Sequence, residues 1–357
     1  MTRAWLVFSL LLALAAAEER VRLLGRSPVE PVSAITAGCF LSTDTQSLLV
    51  VQELGRLSLS APSRRGAAPL FRLALLAPVE RRFRLVWASE PMLGRSRSIL
   101  DLNPQSWTVA DIDGDSLLEL ALVSGDSCRI IHFSHDSVTV ESCYLPEARP
   151  LDVAVCDMDA DSWPELVTLE LSADSAGTTP AVRIWQFTRP LLQPKTPLIP
   201  LPAADSGMSL SLLGPAVLDD YPGTVVVVCA EHPTLRPSMY FAAFAAGPDS
   251  FTVTANPFPW QEWFRRDEVL PAGRLALFNV GDTLAAWGYF VPGSRPAGPD
   301  RSFAALQEGS WRLLRLAPAA ERLAGQLCRF THEGTPGWLE LRDGFFRFYP
   351  GEVFIWR

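Results

Sequence analysis

Four carboxylates crowd one short stretch of this chain. In Trp107 to Val123, WTVADIDGDSLLELALV, Asp111, Asp113, Asp115 and Glu119 stand at positions 1, 3, 5 and 9 of a loop between two apolar runs. Acids this close repel one another unless a cation sits among them. A flexible, oxygen-rich set suits Ca²⁺, which takes roughly six to eight hard ligands. The pattern returns in LDVAVCDMDADSWPELVTLEL, where Asp157, Asp159, Asp161 and Glu165 hold the same four positions between the same kind of flanks. In each loop the backbone carbonyl at position 7, that of Leu117 or Trp163, would add a ligand, and the acid at position 9 would close the cage.

An EF-hand also spaces acids at positions 1, 3 and 5, but it needs a bidentate acid at position 12. Here that position is Leu122 in the first loop and Thr168 in the second. The flanks alternate or run β-branched, as strands do, and carry no helical period. Two such loops in register argue for a repeated strand–loop–strand unit.

These loops resemble the FG-GAP, or VCBS, repeats of integrin-α-like β-propellers, whose blades carry a D-x-D-G-D-x-x-x-D/E-L loop between their first two strands. DIDGDSLLEL fits that pattern. DMDADSWPEL fits with Ala160 at the turn, and both loops have Ser (Ser116, Ser162) where the family often has Gly. The resemblance is specific over about residues 105–190. It implies an all-β fold, a β-propeller of about six four-stranded blades with seven as the alternative, and about two structural calcium ions pinning blades at the rim.

Strand-like runs divided by turn signals recur at about fifty-residue spacing. A first unit takes Ala34–Leu41, Ser47–Gln52, Leu70–Leu76 and Phe83–Ala88. The second takes Trp107–Ala110, Leu118–Val123, Cys128–Phe133 and Val138–Tyr144. A third runs from Leu151 to about Pro200, and a fourth starts near Met208 and keeps Asp219 and Asp220 without a full ligand set. The fifth and sixth, from about Val269 and Arg322, lack the oxygen ligands. Strands around Phe345–Tyr349 and Val353–Trp356 are expected to pair with one near Val21–Leu24 and fasten the ring, as the family does.

Met1 to Ala17 carries one basic residue, an apolar core and a small-residue end before Glu18, the signature of a signal peptide cleaved after Ala17. Residues 18–357 then form the propeller domain. No later run is long and apolar enough to span a bilayer as a helix. The expected destination is secreted, periplasmic or cell surface. The net charge of −8 argues against nucleic acid, which needs a basic stripe. Basic charge is almost all arginine, and Lys195 is the only lysine.

Six cysteines in an exported chain raise the question of disulfides. A turn centred on His135-Asp136 would set Cys128 directly opposite Cys143, a possible bridge. Cys39, Cys156, Cys229 and Cys328 sit in apolar runs and read first as small core residues. Catalytic signatures are scarce. The four histidines, His132, His135, His232 and His332, show no paired metal spacing, and Ser127 in VSGDSC lacks a following glycine and an identifiable histidine partner.

The connection Asn256–Asp267, NPFPWQEWFRRD, gathers Trp260, Trp263, Phe264, Arg265 and Arg266. Exposed aromatics with arginine favour protein hot spots and sugar stacking, and the same side chains could instead plug the space between blades. The expected function is a non-catalytic module binding a protein or glycan. A structural subunit of a cell-envelope assembly and an enzyme with a site in the central channel are the alternatives.

Overall fold

The computed structural model describes residues 21–58, 67–93, 106–148, 150–174, 177–188, 191–201, 209–217, 224–231, 238–244, 251–256, 274–280, 283–289, 301–307, 310–316, 326–351 and 354–355. The expected signal peptide (1–17), Asp219 and Asp220, and the aromatic connection with Trp260, Trp263, Phe264, Arg265 and Arg266 lie outside them.

Every helix or strand element among the described residues is a strand, and the strands pair mainly as antiparallel meanders of four, with a parallel pairing of Tyr144 and Leu191 joining the second and third units into one sheet. After Arg22–Arg26 (β1), the first unit holds Val32–Ser42 (β2), Thr45–Ser58 (β3), Ala67–Val79 (β4) and Arg82–Ala88 (β5), with Met92–Leu93 (β6) beside β4. The second holds Ser106–Ala110 (β7), Glu119–Ser124 (β8), Ser127–Phe133 (β9) and Val138–Tyr144 (β10). In the third, Pro150–Cys156 (β11), Glu165–Asp174 (β12), Gly177–Thr188 (β13) and Leu191–Pro194 (β14) pair in order, and Ile199–Pro200 (β15) also joins β13. The fourth comprises Ser209–Val217 (β16), Thr224–Glu231 (β17), Ser238–Phe244 (β18) and Phe251–Asn256 (β19). The fifth comprises Arg274–Val280 (β20), Thr283–Tyr289 (β21), Arg301–Gln307 (β22) and Ser310–Leu316 (β23). Gln326–His332 (β24), Thr335–Arg342 (β25) and Phe345–Pro350 (β26) form the sixth, and Phe354–Ile355 is β27.

First strands of different units lie side by side: β2 against β24, β7 against β11, β11 against β16, and β16 against β20. That arrangement, with each meander radiating outward from its first strand, is a β-propeller. The sixth meander takes its fourth strand from the other end of the chain, because β1 pairs with β26 through Arg22↔Phe348, Leu23↔Arg347 and Arg26↔Phe345. The expected clasp between Val21–Leu24 and Phe345–Tyr349 is therefore present. The tail departs from expectation: Ile355 and Phe354 pair with Arg315 and Leu316 of β23, not with the N-terminal strand. Both edges of β26 are already taken, by β25 and β1, so the chain beyond it turns to the neighbouring unit.

The second strand of a unit is covered on both faces, which is why it reads as a continuous apolar run and not as an alternation. With a side-chain period of two, neighbouring residues face opposite units. Leu48 and Val50 on β3 join Phe330, Leu339, Phe346 and Phe348 of the sixth unit. Leu49 between them packs with Leu120, Leu122 and Phe133 of the second. Ala121 and Val123 of β8 turn the other way, onto Val153, Val155 and Trp185 of the third. From there Val167 and Leu169 reach Val226 and Val228 of the fourth.

Candidate metal loops

Each acid loop joins the first and second strands of its unit, and the two are built alike. In the first, Asp111 accepts from the backbone N–H groups of Gly114 (2.8 Å) and Ser116 (3.0 Å), and Asp115 accepts from that of Leu117 (2.7 Å). In the second, Asp157 accepts from Asp161 (3.2 Å) and Ser162 (3.0 Å), and Asp161 from Trp163 (2.8 Å). The carboxylate at position 9 reaches back under the loop in both. Ile112 N–H donates to Glu119 Oε2 at 2.7 Å and Met158 N–H to Glu165 Oε2 at 2.9 Å.

The backbone repeats as closely as the bonding. Positions 4 and 6 are left-handed in both loops, with φ of 80° at Gly114, 70° at Ser116, 62° at Ala160 and 72° at Ser162. Ala160 and the two serines therefore hold a conformation that costs a side-chain-bearing residue roughly 1–2 kcal/mol, and the acid network holds them there. Position 12 of the second loop points away from the acids. Thr168 is buried, donates to Glu170 Oε1 at 2.6 Å and accepts from the Trp185 indole N–H at 2.8 Å, so it is a strand residue and no ligand.

The loops are anchored to different neighbours. Leu118 N–H donates to the Cys39 carbonyl on β2 at 2.8 Å, and the Leu118 side chain fills the space beside Gly38. In the second loop the Asp157 carbonyl accepts from Thr224 N–H on β17 at 3.1 Å. A change in either loop thus bears on the contact between two units.

Carboxylate oxygens of Asp111, Asp113 and Asp115 lie within 4.8 Å of one another, as do those of Asp157, Asp159 and Glu165. These are hard donors fitting Ca²⁺. Burial pushes the Glu119 carboxyl up to about 7, helped by the charges of Asp113, Asp115 and Asp111 and opposed by the Ile112 N–H. Burial likewise raises Glu165, against the hydrogen bonds from Lys195 and Met158. A buried carboxyl that resists ionising beside other acids is one that a cation would stabilise.

Two residues near the acids were not legible as site members in the sequence. His132, on β9, brings Nδ1 to 3.6 Å from Asp113 Oδ2 and 3.8 Å from Glu119 Oε1, and Nε2 to 3.9 Å from Glu141. Lys195 places its ammonium 2.6 Å from Asp159 Oδ2 and 2.5 Å from Glu165 Oε1. The one signal for the latter was its being the sole lysine in an arginine-rich chain.

The Trp163 side chain, which could have capped the second loop, is 65% exposed instead. Cys128 and Cys143 face one another across β9 and β10, as the His135-Asp136 turn predicts, and both are buried as thiols, without the expected bridge. Burial, with Cys143 alongside, pushes the Cys128 thiol up to about 12.

No family model and no curated protein matches this chain. Among solved structures, Sqt1 from Chaetomium thermophilum is similar at 14% identity with a TM-score of 0.39, over 90% of this chain and 86% of that one. Two structures of the NanB sialidase from Streptococcus pneumoniae are similar at 7% identity and a TM-score of 0.34, over 89% of this chain and 58% of theirs. Likeness at these levels carries no argument about function, and the architecture stands on the chain's own strand pairing.

Proposed function

We propose that this protein is an exported, calcium-stabilised β-propeller of the FG-GAP kind that acts as a non-catalytic binding module for a protein or glycan. The observation that carries the reading is the first acid loop. Three aspartates converge within 4.8 Å, and a buried glutamate reaches up from β8 beneath them. Asp111, Asp113, Asp115 and Glu119 would hold the ion, with the Leu117 carbonyl. The ion would supply the positive charge that lets Glu119 ionise in its buried position, and it would fasten the loop whose Leu118 is seated on the first unit. Its role is mechanical: it stiffens the rim that presents surface side chains such as Trp163.

The test is a thermal melt of residues 18–357 in calcium and then in chelator, with bound calcium counted directly. A melting temperature that rises with calcium, and an ion lost in Asp113→Ala, support the reading. No bound ion and no shift would sink it. Glycan arrays and crosslinking to surface proteins then identify the ligand, and turnover of a small substrate at the channel would overturn the non-catalytic role.

A further inference from the structure

The two acid loops share a backbone, yet their charges are answered differently. In the first, the nearest basic group among the described residues is the His132 ring, whose Nδ1 stands beyond hydrogen-bond reach of Asp113 and Glu119 at 3.6 and 3.8 Å. In the second, an ammonium already sits on the two acids at positions 3 and 9. We infer that Lys195 is a built-in cation that takes the metal's place in the second loop, so that the chain binds calcium at the first loop alone. This rests on the calcium reading of that first loop, and it replaces the expectation of two ions with one.

Several features fix the lysine where it is. It lies just past β14, where its backbone N–H donates to the Ile184 carbonyl at 2.8 Å; the Thr196 hydroxyl accepts from Ile184 N–H at 3.0 Å. Lys195 and the residue after it are therefore both bonded to β13, which fixes where the lysine side chain is delivered. The side chain is 17% exposed, with its ammonium in the space between Asp159 and Glu165.

Calcium could enter only by evicting a group bonded to two of its intended ligands, which would leave the ammonium buried without an acceptor. One oxygen, Asp159 Oδ1, is buried without a partner beside the lysine. A single ammonium thus satisfies the loop less fully than a metal would, which is the vacancy a variant can exploit. Where the first loop faces the His132 ring, the residue paired with Glu165 is the uncharged Gln186.

The experiment counts calcium on the unaltered protein, Asp113→Ala, Asp159→Ala and Lys195→Met, and measures acylation of the sole lysine by an amine-reactive ester. The expected results are one ion on the unaltered protein, none on Asp113→Ala, and one still on Asp159→Ala. Lys195→Met should melt lower in chelator, gain a second ion and recover its melting temperature in millimolar calcium. In the unaltered protein Lys195 should resist acylation with or without calcium and react on unfolding.

Two ions on the unaltered protein, or calcium making Lys195 reactive, would overturn the inference. So would an unchanged melt for Lys195→Met in chelator. The absence of any ion on the unaltered protein would instead overturn the calcium reading, while the acylation result still decides the role of the lysine.

Discussion

Glu119→Gln should change sign with calcium. Without a cation, the buried Glu119 carboxyl is displaced from 4.5 to about 7. At pH 8 that displacement burdens the folded state by about 3 kcal/mol, since each pH unit is worth about 1.4 kcal/mol. Because the folded value is raised, the contribution of the group is fully favourable below pH 4.5 and is lost as pH climbs through about 7. Glutamine keeps an oxygen for the Ile112 N–H and cannot ionise.

In chelator at pH 8 the variant should therefore be more stable by up to about 3 kcal/mol, and the difference should vanish near pH 4.5. At a thousandfold excess of calcium over the dissociation constant the order should reverse, since the unaltered protein then gains roughly 4.1 kcal/mol and the variant forfeits most of it. Paired melts at one scan rate, across pH 4.5 to 8 and in both buffers, read this directly. A variant that melts lower in chelator at pH 8 would refute the reasoning, because Glu119 would then be stabilising as a charge without any metal.

Other residues make equally specific demands. A Cβ on Gly38 would strike the Leu118 side chain, so Gly38→Ala should lower stability by about 1–3 kcal/mol and weaken calcium binding at the first loop, as calorimetric titration would show. Tyr349 donates to the fully buried Glu340 at 2.8 Å. Its replacement by phenylalanine should cost about 1–3 kcal/mol in denaturant titration, because the buried carboxylate loses a donor. Residues paired across antiparallel strands have Cα atoms about 4.5–5.5 Å apart, within disulfide reach. Protein recovered from an oxidising compartment should therefore lose two hydrogens of mass at Cys128 and Cys143, and a Cys128→Ser variant should not.

The sequence by itself determined the repeating unit and where its acids fall. DIDGDSLLEL and DMDADSWPEL were recognisable because ligand spacing inside one loop is a local matter, set by a few backbone dihedrals. The strands of the second unit were legible to within a residue or so because apolar runs and turns alternate there with little interruption. The N-terminal clasp was expected from the resemblance to FG-GAP propellers.

Packing against distant residues could not be read in the same way. That Leu118 rests on Gly38, that Thr168 bonds Trp185 and Glu170, and that the last strand, β27, leaves β26 for β23 all depend on which faces the assembled units present. Above all, two loops with equivalent acids differ in what answers their charge. Lys195 lies 30 residues beyond Glu165 along the chain and within a hydrogen bond of it in space. Carboxylates attract whichever cation the fold brings within a few ångströms, and only the tertiary structure decides whether it is a side chain or a metal ion.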